Sequence, residues 1–368
     1  MIIVPLIFAS IIRGLTSSGS IEDLQKLGLG VAVYFVITTV IALIIGMLIV
    51  TTIEPGNFID GSLIRENFGM EDAEPMDPVE LTIHDIPQSI TGLIPSNPLV
   101  SFMSGEMLSI IIFALIVGVS MITLPKESSK SILDLLESIQ KITMKVVSWA
   151  MRLAPFAAFG LMADITSKLG ISALIGLGGY MITVVMGLFI MMIVYMIIIK
   201  FFAKRPLFST FSMMRDPQLL AFSTSSSAAV MPLSIKVADE KLQVKSKVSQ
   251  FIIPLGATIN MDGTALYQIV AVFFLSQLFD IDLGFTTIIL ISLTALAASI
   301  GAPSAPGTGI VVLSTILIAA GIPPIGVVLL LGVDRILDMI RTMVNVTGDL
   351  TASLFFDRRI IEDDLPSD

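Results

Sequence analysis

Long apolar stretches near residues 28–52, 99–124, 142–163, 171–202, 248–280, 286–300 and 310–333 constrain this chain more than any other feature. About 20 residues rising 1.5 Å each cross the hydrocarbon core of a bilayer. Inside that core a backbone must satisfy its own polar groups, so only helices and closed barrels cross it. A membrane barrel alternates apolar and polar residues, and no such alternation occurs here. The sequence predicts an all-α polytopic membrane protein. Only 14% of its 368 residues are charged, against about 25% in soluble domains. So few charges cannot cover a soluble globule of this size. Ordinary soluble enzymes, disordered chains and nucleic-acid binders are thereby excluded, the last because they need a basic face. There is no cysteine and a single histidine, His84. Disulfide frameworks, thiolate metal sites, cysteine nucleophiles and histidine clusters are excluded with them.

The net charge of −9 is concentrated in two places. Residues 51–85 carry nine acids (Glu54, Asp60, Glu66, Glu71, Asp72, Glu74, Asp77, Glu80 and Asp85) against Arg65 alone. The segment 357–368 carries five acids against Arg358 and Arg359. Both read as a solvated loop and a frayed terminus. Bases cluster between apolar stretches: Lys126, Lys130, Lys141 and Lys145, then Lys200, Lys204 and Arg205, then Lys236, Lys241, Lys245 and Lys247. Positive segments stay inside, which predicts a cell membrane protein with those segments and the C-terminus cytoplasmic and the acidic 53–95 loop outside. The opening Met1–Ile12 is apolar but too short to span, and it lacks a signal peptide's basic start and clean cleavage site.

Three stretches are wrong for plain spanning helices. Residues 223–232 (STSSSAAVMP) are small and polar in apolar surroundings. Residues 256–264 (GATINMDGT) interrupt an apolar helix. Residues 301–309 (GAPSAPGTG) form a Gly/Pro tip between two apolar arms. Irregular backbone at membrane depth is tolerated only where it is buried in protein or lines a cavity. Broken helices of this kind aim helix N-termini at anions and freed carbonyls at cations.

The segment 334–349 carries the strongest chemical signal. At 100° per residue, Asp334, Asp338, Arg341, Asn345 and Asp349 share an arc of about 80°. Ile336, Leu337, Ile340, Val344 and Val346 lie elsewhere on the wheel. Ionisable residues in membrane spans usually mark substrate or ion paths. With Asp262 from the broken helix, three aspartates face one arginine, besides Asp334. Such groups cannot all stay ionised and unpaired in a dry site, so cations or protons must enter. Sodium with oxygen ligands suits the carboxylates, amide oxygen and freed carbonyls. The planar fork of Arg341 suits a carboxylate held bidentately. The competing reading is an Arg341–Asp338 pair on a solvated helix, which the apolar neighbours argue against.

With these residues in view, the chain resembles the dicarboxylate/amino acid:cation symporters, the glutamate transporter family, and most of all its prokaryotic sodium-coupled aspartate/glutamate transporters. The resemblance runs over essentially the whole chain. It rests on Asn260-Met-Asp-Gly-Thr264, the serine-rich tip, the Gly/Pro tip, and Asp338-x-x-Arg-Thr-x-x-Asn345 with Asp349. It implies the glutamate-transporter fold, with two re-entrant helical hairpins and a broken seventh helix. Residues 1–27 would be a partial scaffold helix and loop, 28–52 the third helix of the transport domain, 53–98 the acidic extracellular loop, and 99–168 scaffold helices. Residues 169–356 would complete the transport domain: sixth helix, first hairpin about 207–245, broken seventh helix, second hairpin about 283–322, and eighth helix. Residues 357–368 would be a cytoplasmic tail.

The same resemblance implies roles. Arg341, helped by Thr264, would bind the side-chain carboxylate of an acidic amino acid, and Asp338 and Thr342 its amino group. Asn345, Ser227, Ala305 and Gly309 would bind the remaining groups and close over them. One sodium site would use Asp349, Asn345, Gly256 and Asn260. A second would use Thr258, Ser299, Ile300 and Ala302, with Met261 between the sites. A third would use Asp262, Asn260, Thr38, Thr39 and Phe35. Sodium would be a co-transported ion, coupled to closure of the second hairpin. The transport domain would move as an elevator against a homotrimeric scaffold.

Two departures from the family pattern stand out. Relatives usually carry a further arginine at the first hairpin tip or just after the substrate-binding aspartate; here Ser225 and Met339 hold those places, and Arg335 is the candidate for that charge. Relatives also have a first helix and the front half of a second before a segment like Met1–Ile12, so the resemblance implies a chain lacking them. Within the family, Asp338 favours an amino acid over a C4-dicarboxylate, and Asp349, Asp262 and Asn260 favour sodium over protons. A proton-coupled or C4-dicarboxylate symporter is the alternative. A channel needs several weak sites along a pore, which one deep arginine site does not provide. No catalytic motif points to an enzyme.

Overall fold

The computed structural model describes residues 3–16, 28–59, 97–104, 107–301 and 304–363. Among them every regular element is helical. The chain begins with α1 (Ile3–Thr16), α2 (Leu29–Ile53), α3 (Pro98–Ser104), α4 (Met107–Thr123) and α5 (Lys126–Leu169). There follow α6 (Ile171–Ile197), α7 (Leu207–Met213), α8 (Arg215–Thr224), α9 (Ser227–Glu240) and α10 (Ser246–Ile259). The last are α11 (Asp262–Phe279), α12 (Phe285–Gly301), α13 (Thr308–Ala319) and α14 (Val327–Asp363). Three helical segments among the described residues are long and apolar enough to cross a bilayer: Leu29–Phe58, Leu174–Phe202 and Ser246–Phe279. His84 and most of the acidic stretch lie outside the described residues.

Helix α2 shows how an almost wholly apolar sequence divides its faces. Val31, Phe35, Thr38, Thr39, Ala42, Leu43, Gly46 and Val50 are buried at helical spacing. Leu29, Val33, Ile37, Val40, Ile44 and Leu48 are exposed on the other side. In water that second face would be a liability; in a bilayer it is matched by lipid. Gly46 lets α2 close on α11, because a Cβ there would meet the Leu266 carbonyl at 3.1 Å. The helix stops at Glu54, which adopts the left-handed conformation and bonds its N–H to the Val50 carbonyl. The turn that follows is clamped to the far end of α11, where Gln277 accepts from Gly56 N–H at 3.0 Å.

Helix α11 is buried on almost every side, as a helix apolar all round must be. Leu266, Ile269 and Phe274 pack with Leu43 of α2, Tyr180 and Leu188 of α6, Leu313 of α13 and Leu337 of α14. A second cluster joins Val230 of α9, Phe251 and Ile253 of α10 and Leu354 of α14. A third joins Ile7 and Ile12 of α1 to Ile110 and Ala114 of α4 and Leu136 of α5. Arg13 holds α1 to α5 through Gln140 and an ion pair with Glu137.

The helix bounds sharpen the apolar stretches. The basic stretch at 126–145 lies inside α5, which runs on through the apolar 142–163. Its Lys, Glu, Ser and Leu residues carry no helix breaker, and Lys141 pairs with Glu137 at 2.5 Å one turn away. The apolar stretch 310–333 is not one helix. Gly321 (φ 69°) and the Pro324–Gly326 turn divide it between α13 and α14. The segment 357–368 does not start as a frayed tail: α14 continues to Asp363, and Asp357 is buried. Asp357 accepts from the Lys245 N–H at 2.9 Å at the start of α10 and faces Arg205 at 3.7 Å.

Candidate functional site

Three chain breaks converge on one face of α14. At the first, Ser225 caps α8 in the left-handed region (φ 51°) and Ser226 starts α9, its side chain accepting from Ala229 N–H. At the second, Asn260 and Met261 leave helical geometry between α10 and α11. The third lies between α12 and α13, where Gly307 (φ 76°) precedes Thr308. Ser226 Oγ donates to the Ser304 carbonyl at 2.6 Å, joining the two tips. Gly307 N–H donates to Asp338 Oδ2 at 2.9 Å, tying the second tip to α14. The helix wheel's stripe is buried as a whole: Asp334, Asp338, Arg341, Asn345 and Asp349.

Arg341 is fully buried. Its Nη2 reaches Asp338 Oδ1 at 2.8 Å and Asp334 Oδ1 at 3.1 Å. The Tyr267 ring lies 3.8 Å from its Cζ, a cation–π contact in a dry setting. Among the described residues its Nε and Nη1 have no hydrogen-bond partner. Buried guanidinium donors are rarely left so, because the desolvation cost is uncompensated. Gly309 lets the backbone at the start of α13 approach this group: a Cβ there would sit 3.2 Å from Nη1 and from Thr264 Cγ2.

Beside the guanidinium is a narrow cavity. Ser225, Ser227, Met261, Thr264, Ser304, Ala305, Thr308, Gly309, Asp338, Thr342 and Asn345 line it. It encloses about 20 Å³ of water-accessible space, room for about one water. Thus Asp338, Thr342, Asn345, Thr264, Ser227, Ala305 and Gly309 share one wall, with Arg341 beside it. Asn345 connects this cavity to the α10–α11 break. Its Oδ1 accepts from Gly263 N–H at 2.8 Å, and its Nδ2 lies 3.3 Å from both Thr264 Oγ1 and Met261 Sδ.

A second polar cluster lies deeper, around two buried aspartates. Asp349 Oδ1 accepts from Asn260 Nδ2 at 2.9 Å, and the same amide reaches the Asn345 carbonyl at 3.2 Å. Among the described residues Asn260 Oδ1 has no donor. Gly256 packs so closely on Asp349 that any Cβ would collide with its carboxylate. Asp262 Oδ1 accepts from Thr39 Oγ1 at 2.7 Å. Thr38 Oγ1 donates to the Phe35 carbonyl at 3.1 Å. Among the described residues no ion pair joins Asp262 or Asp349 to a lysine or arginine. An orphaned amide oxygen and two carboxylates without a basic partner fit a small hard cation with oxygen ligands.

The remaining set is less assembled. Thr258 Oγ1 donates to the Pro254 carbonyl and Ser299 Oγ to the Leu296 carbonyl, each within its own helix. Ile300 is in the last turn of α12, and Ala302 lies outside the described residues.

Five residues at the site had no assigned role from sequence. Asp334 was visible in the stripe but given no partner. Tyr267 and Tyr195 look like packing residues in apolar runs. The available signal was scarcity: the chain has 4 tyrosines, and a buried phenol needs a partner. Ser226 and Gln268 act through backbone, Gln268 Nε2 donating to the Gly309 carbonyl at 3.2 Å, which no spacing reveals.

A helical bundle with broken helices, a buried arginine carrying unused donors and a neighbouring pair of uncompensated carboxylates defines a membrane carrier for a small anionic solute moving with cations. The chain belongs to the Sodium:dicarboxylate symporter family, whose sequence model matches residues 1–359. It is 31% identical over 354 residues to the Proton/glutamate-aspartate symporter of Escherichia coli (strain K12), covering 96% of this chain and 81% of that one. It is 34% identical over 357 residues to the Proton/sodium-glutamate symport protein of Bacillus subtilis (strain 168), covering 96% and 82%. The C4-dicarboxylate transport protein of the same organism is 31% identical over 359 residues, covering 96% and 83%. The family is one of transporters, and the chain is a membrane protein of that family.

Proposed function

We propose that this protein is a secondary symporter that imports an acidic amino acid, aspartate or glutamate, with sodium. The observation that carries the reading is Arg341: fully buried, with Nε and Nη1 unpartnered beside a cavity bordered by Thr264 and Gly309. A substrate side-chain carboxylate accepts from those N–H groups. Asp338 and Thr342 take the substrate ammonium, and Asn345, Ser227, Ala305 and Gly309 bind the remaining polar groups.

Sodium is the co-transported cation. Asp349, Asn345, Gly256 and Asn260 supply one site, and Asp262, Asn260, Thr38, Thr39 and the Phe35 carbonyl another. Thr258, Ser299, Ile300 and Ala302 supply a third, with Met261 between sites. The orphaned Asn260 Oδ1 supports this assignment. Residues 28–52 and 169–356 act as the transport domain, moving as an elevator against a homotrimeric scaffold formed from 1–27 and 99–168. The hairpins at about 207–245 and 283–322 are re-entrant, the 53–98 loop is extracellular and the C-terminus cytoplasmic.

The test is substrate stabilisation of the purified protein against heat in sodium buffer. Aspartate or glutamate raises the melting temperature, and succinate and fumarate do not. Stabilisation by succinate but not by aspartate would assign the C4-dicarboxylate reading, which the B. subtilis relative favours.

Arg335 provides a second check. Its Nη1 donates to Ser225 Oγ at 3.0 Å, so a cation from α14 holds the first tip where relatives usually carry an arginine of their own. A charge-assisted hydrogen bond of this kind contributes about 1.5–3 kcal/mol. Arg335→Ala is expected to weaken aspartate binding by about tenfold, read by isothermal titration. Unchanged affinity would remove Arg335 from the site.

A further inference from the structure

Tyr195 sits in the apolar helix α6, fully buried, where phenylalanine would pack as well. Its hydroxyl donates to Asp262 Oδ2 at 2.7 Å. Thr39 of α2 donates to the other oxygen of the same carboxylate. Two helices therefore each bring one hydroxyl to Asp262, and both carboxylate oxygens are fixed in place by neutral donors.

The hydroxyl also lies against α14. A Cβ on Gly348 would come within 2.5 Å of Tyr195 Oη and within 2.5 Å of Asn260 Nδ2. Glycine at that position lets the phenol and the amide lie side by side on the α14 backbone, one residue before Asp349. Tyr195 thus stands at the junction of the two carboxylates, touching one directly and the amide that holds the other through their common neighbour.

We propose that Tyr195 is a positioning residue for cation binding at Asp262: it orients the carboxylate toward the ion and sets the sodium affinity of that site. This rests on the sodium reading given above. A hydroxyl that spends its single proton on one carboxylate oxygen fixes the rotation of the carboxylate about its Cβ–Cγ bond. Without it Oδ2 loses its donor, and the site must order the carboxylate each time an ion binds.

The test is a sodium titration of thermal stability on the purified full chain, without substrate, for wild type, Tyr195→Phe, Asp262→Asn and the double variant. Ion binding to the folded state raises the melting temperature with a midpoint that reports affinity. The wild type is expected to be stabilised by sodium, and Tyr195→Phe to need about tenfold more for the same shift. The double variant is expected to match Asp262→Asn alone, because a residue acting through Asp262 has nothing left to act on. A lower starting melting temperature in Tyr195→Phe leaves the midpoint readable. A Tyr195→Phe midpoint equal to wild type, or additive effects in the double variant, would overturn the role of Tyr195. A wild type that sodium does not stabilise would overturn the sodium reading itself.

Discussion

Under the proposed function, Arg341→Lys is expected to lower the affinity for an acidic amino acid by about a hundredfold or more while the protein still folds. The substitution keeps the positive charge between Asp334 and Asp338, so no buried carboxylate is left alone. Removing the charge altogether would cost about 3–5 kcal/mol of stability and confuse binding with folding. What lysine cannot supply is the planar fork. Arg341 spends Nη2 on the two aspartates and keeps Nε and Nη1 unpartnered beside the cavity. An ammonium has three donors on one atom and no flat edge, so engaging both aspartates leaves it no matched pair for a substrate carboxylate. Losing a bidentate charge-assisted contact in a dry site costs about 2–4 kcal/mol. Calorimetric titration of Arg341→Lys with aspartate in sodium buffer measures it directly. Affinity within threefold of wild type would mean that Arg341 is a structural charge.

The second large effect has two opposite signs. Asp349→Asn abolishes stabilisation by sodium through that site, yet leaves the sodium-free protein as stable as wild type or more so. Asp349 is buried and accepts one hydrogen bond, from Asn260, with no basic partner among the described residues. Asparagine has the same shape and can accept the same bond. It removes an uncompensated charge, whose burial costs several kcal/mol by order of magnitude. In the proposed sodium site the same charge holds the ion, so cation affinity is expected to fall by about a hundredfold or more. Melting curves with and without sodium read both signs. If Asp349→Asn lost stability in sodium-free buffer and kept the wild-type sodium response, the carboxylate would be structural.

How much of this was visible in the sequence depends on whether the signal is local. The α14 stripe was legible because five polar residues, Asp334 to Asp349, repeat at helical spacing against an apolar background. The break between α10 and α11 was legible because Asn260 and Asp262 interrupt an apolar run. Hydropathy alone misses the turn between α13 and α14, because Ala319, Ala320 and Ile322 keep it high there; the boundary at about 322 came only with the resemblance. The length of α5 was not legible, because its charged first half reads as a connection until its helix propensity is considered. The partners of each charge were illegible for a different reason. Tyr267 meets Arg341, and Tyr195 meets Asp262, only when α11 packs against α14 and α6. Periodicity assigns residues to faces; it does not say which faces meet.

Under the proposed function, uncompensated carboxylates beside an arginine site make transport of an acidic amino acid depend on sodium. Radiolabelled aspartate uptake into proteoliposomes, under separate sodium, proton and potassium gradients, tests it most directly. An inward sodium gradient is expected to drive aspartate above its external concentration, and a proton gradient in sodium-free buffer to drive none. Concentrative uptake on a proton gradient without sodium would contradict the account.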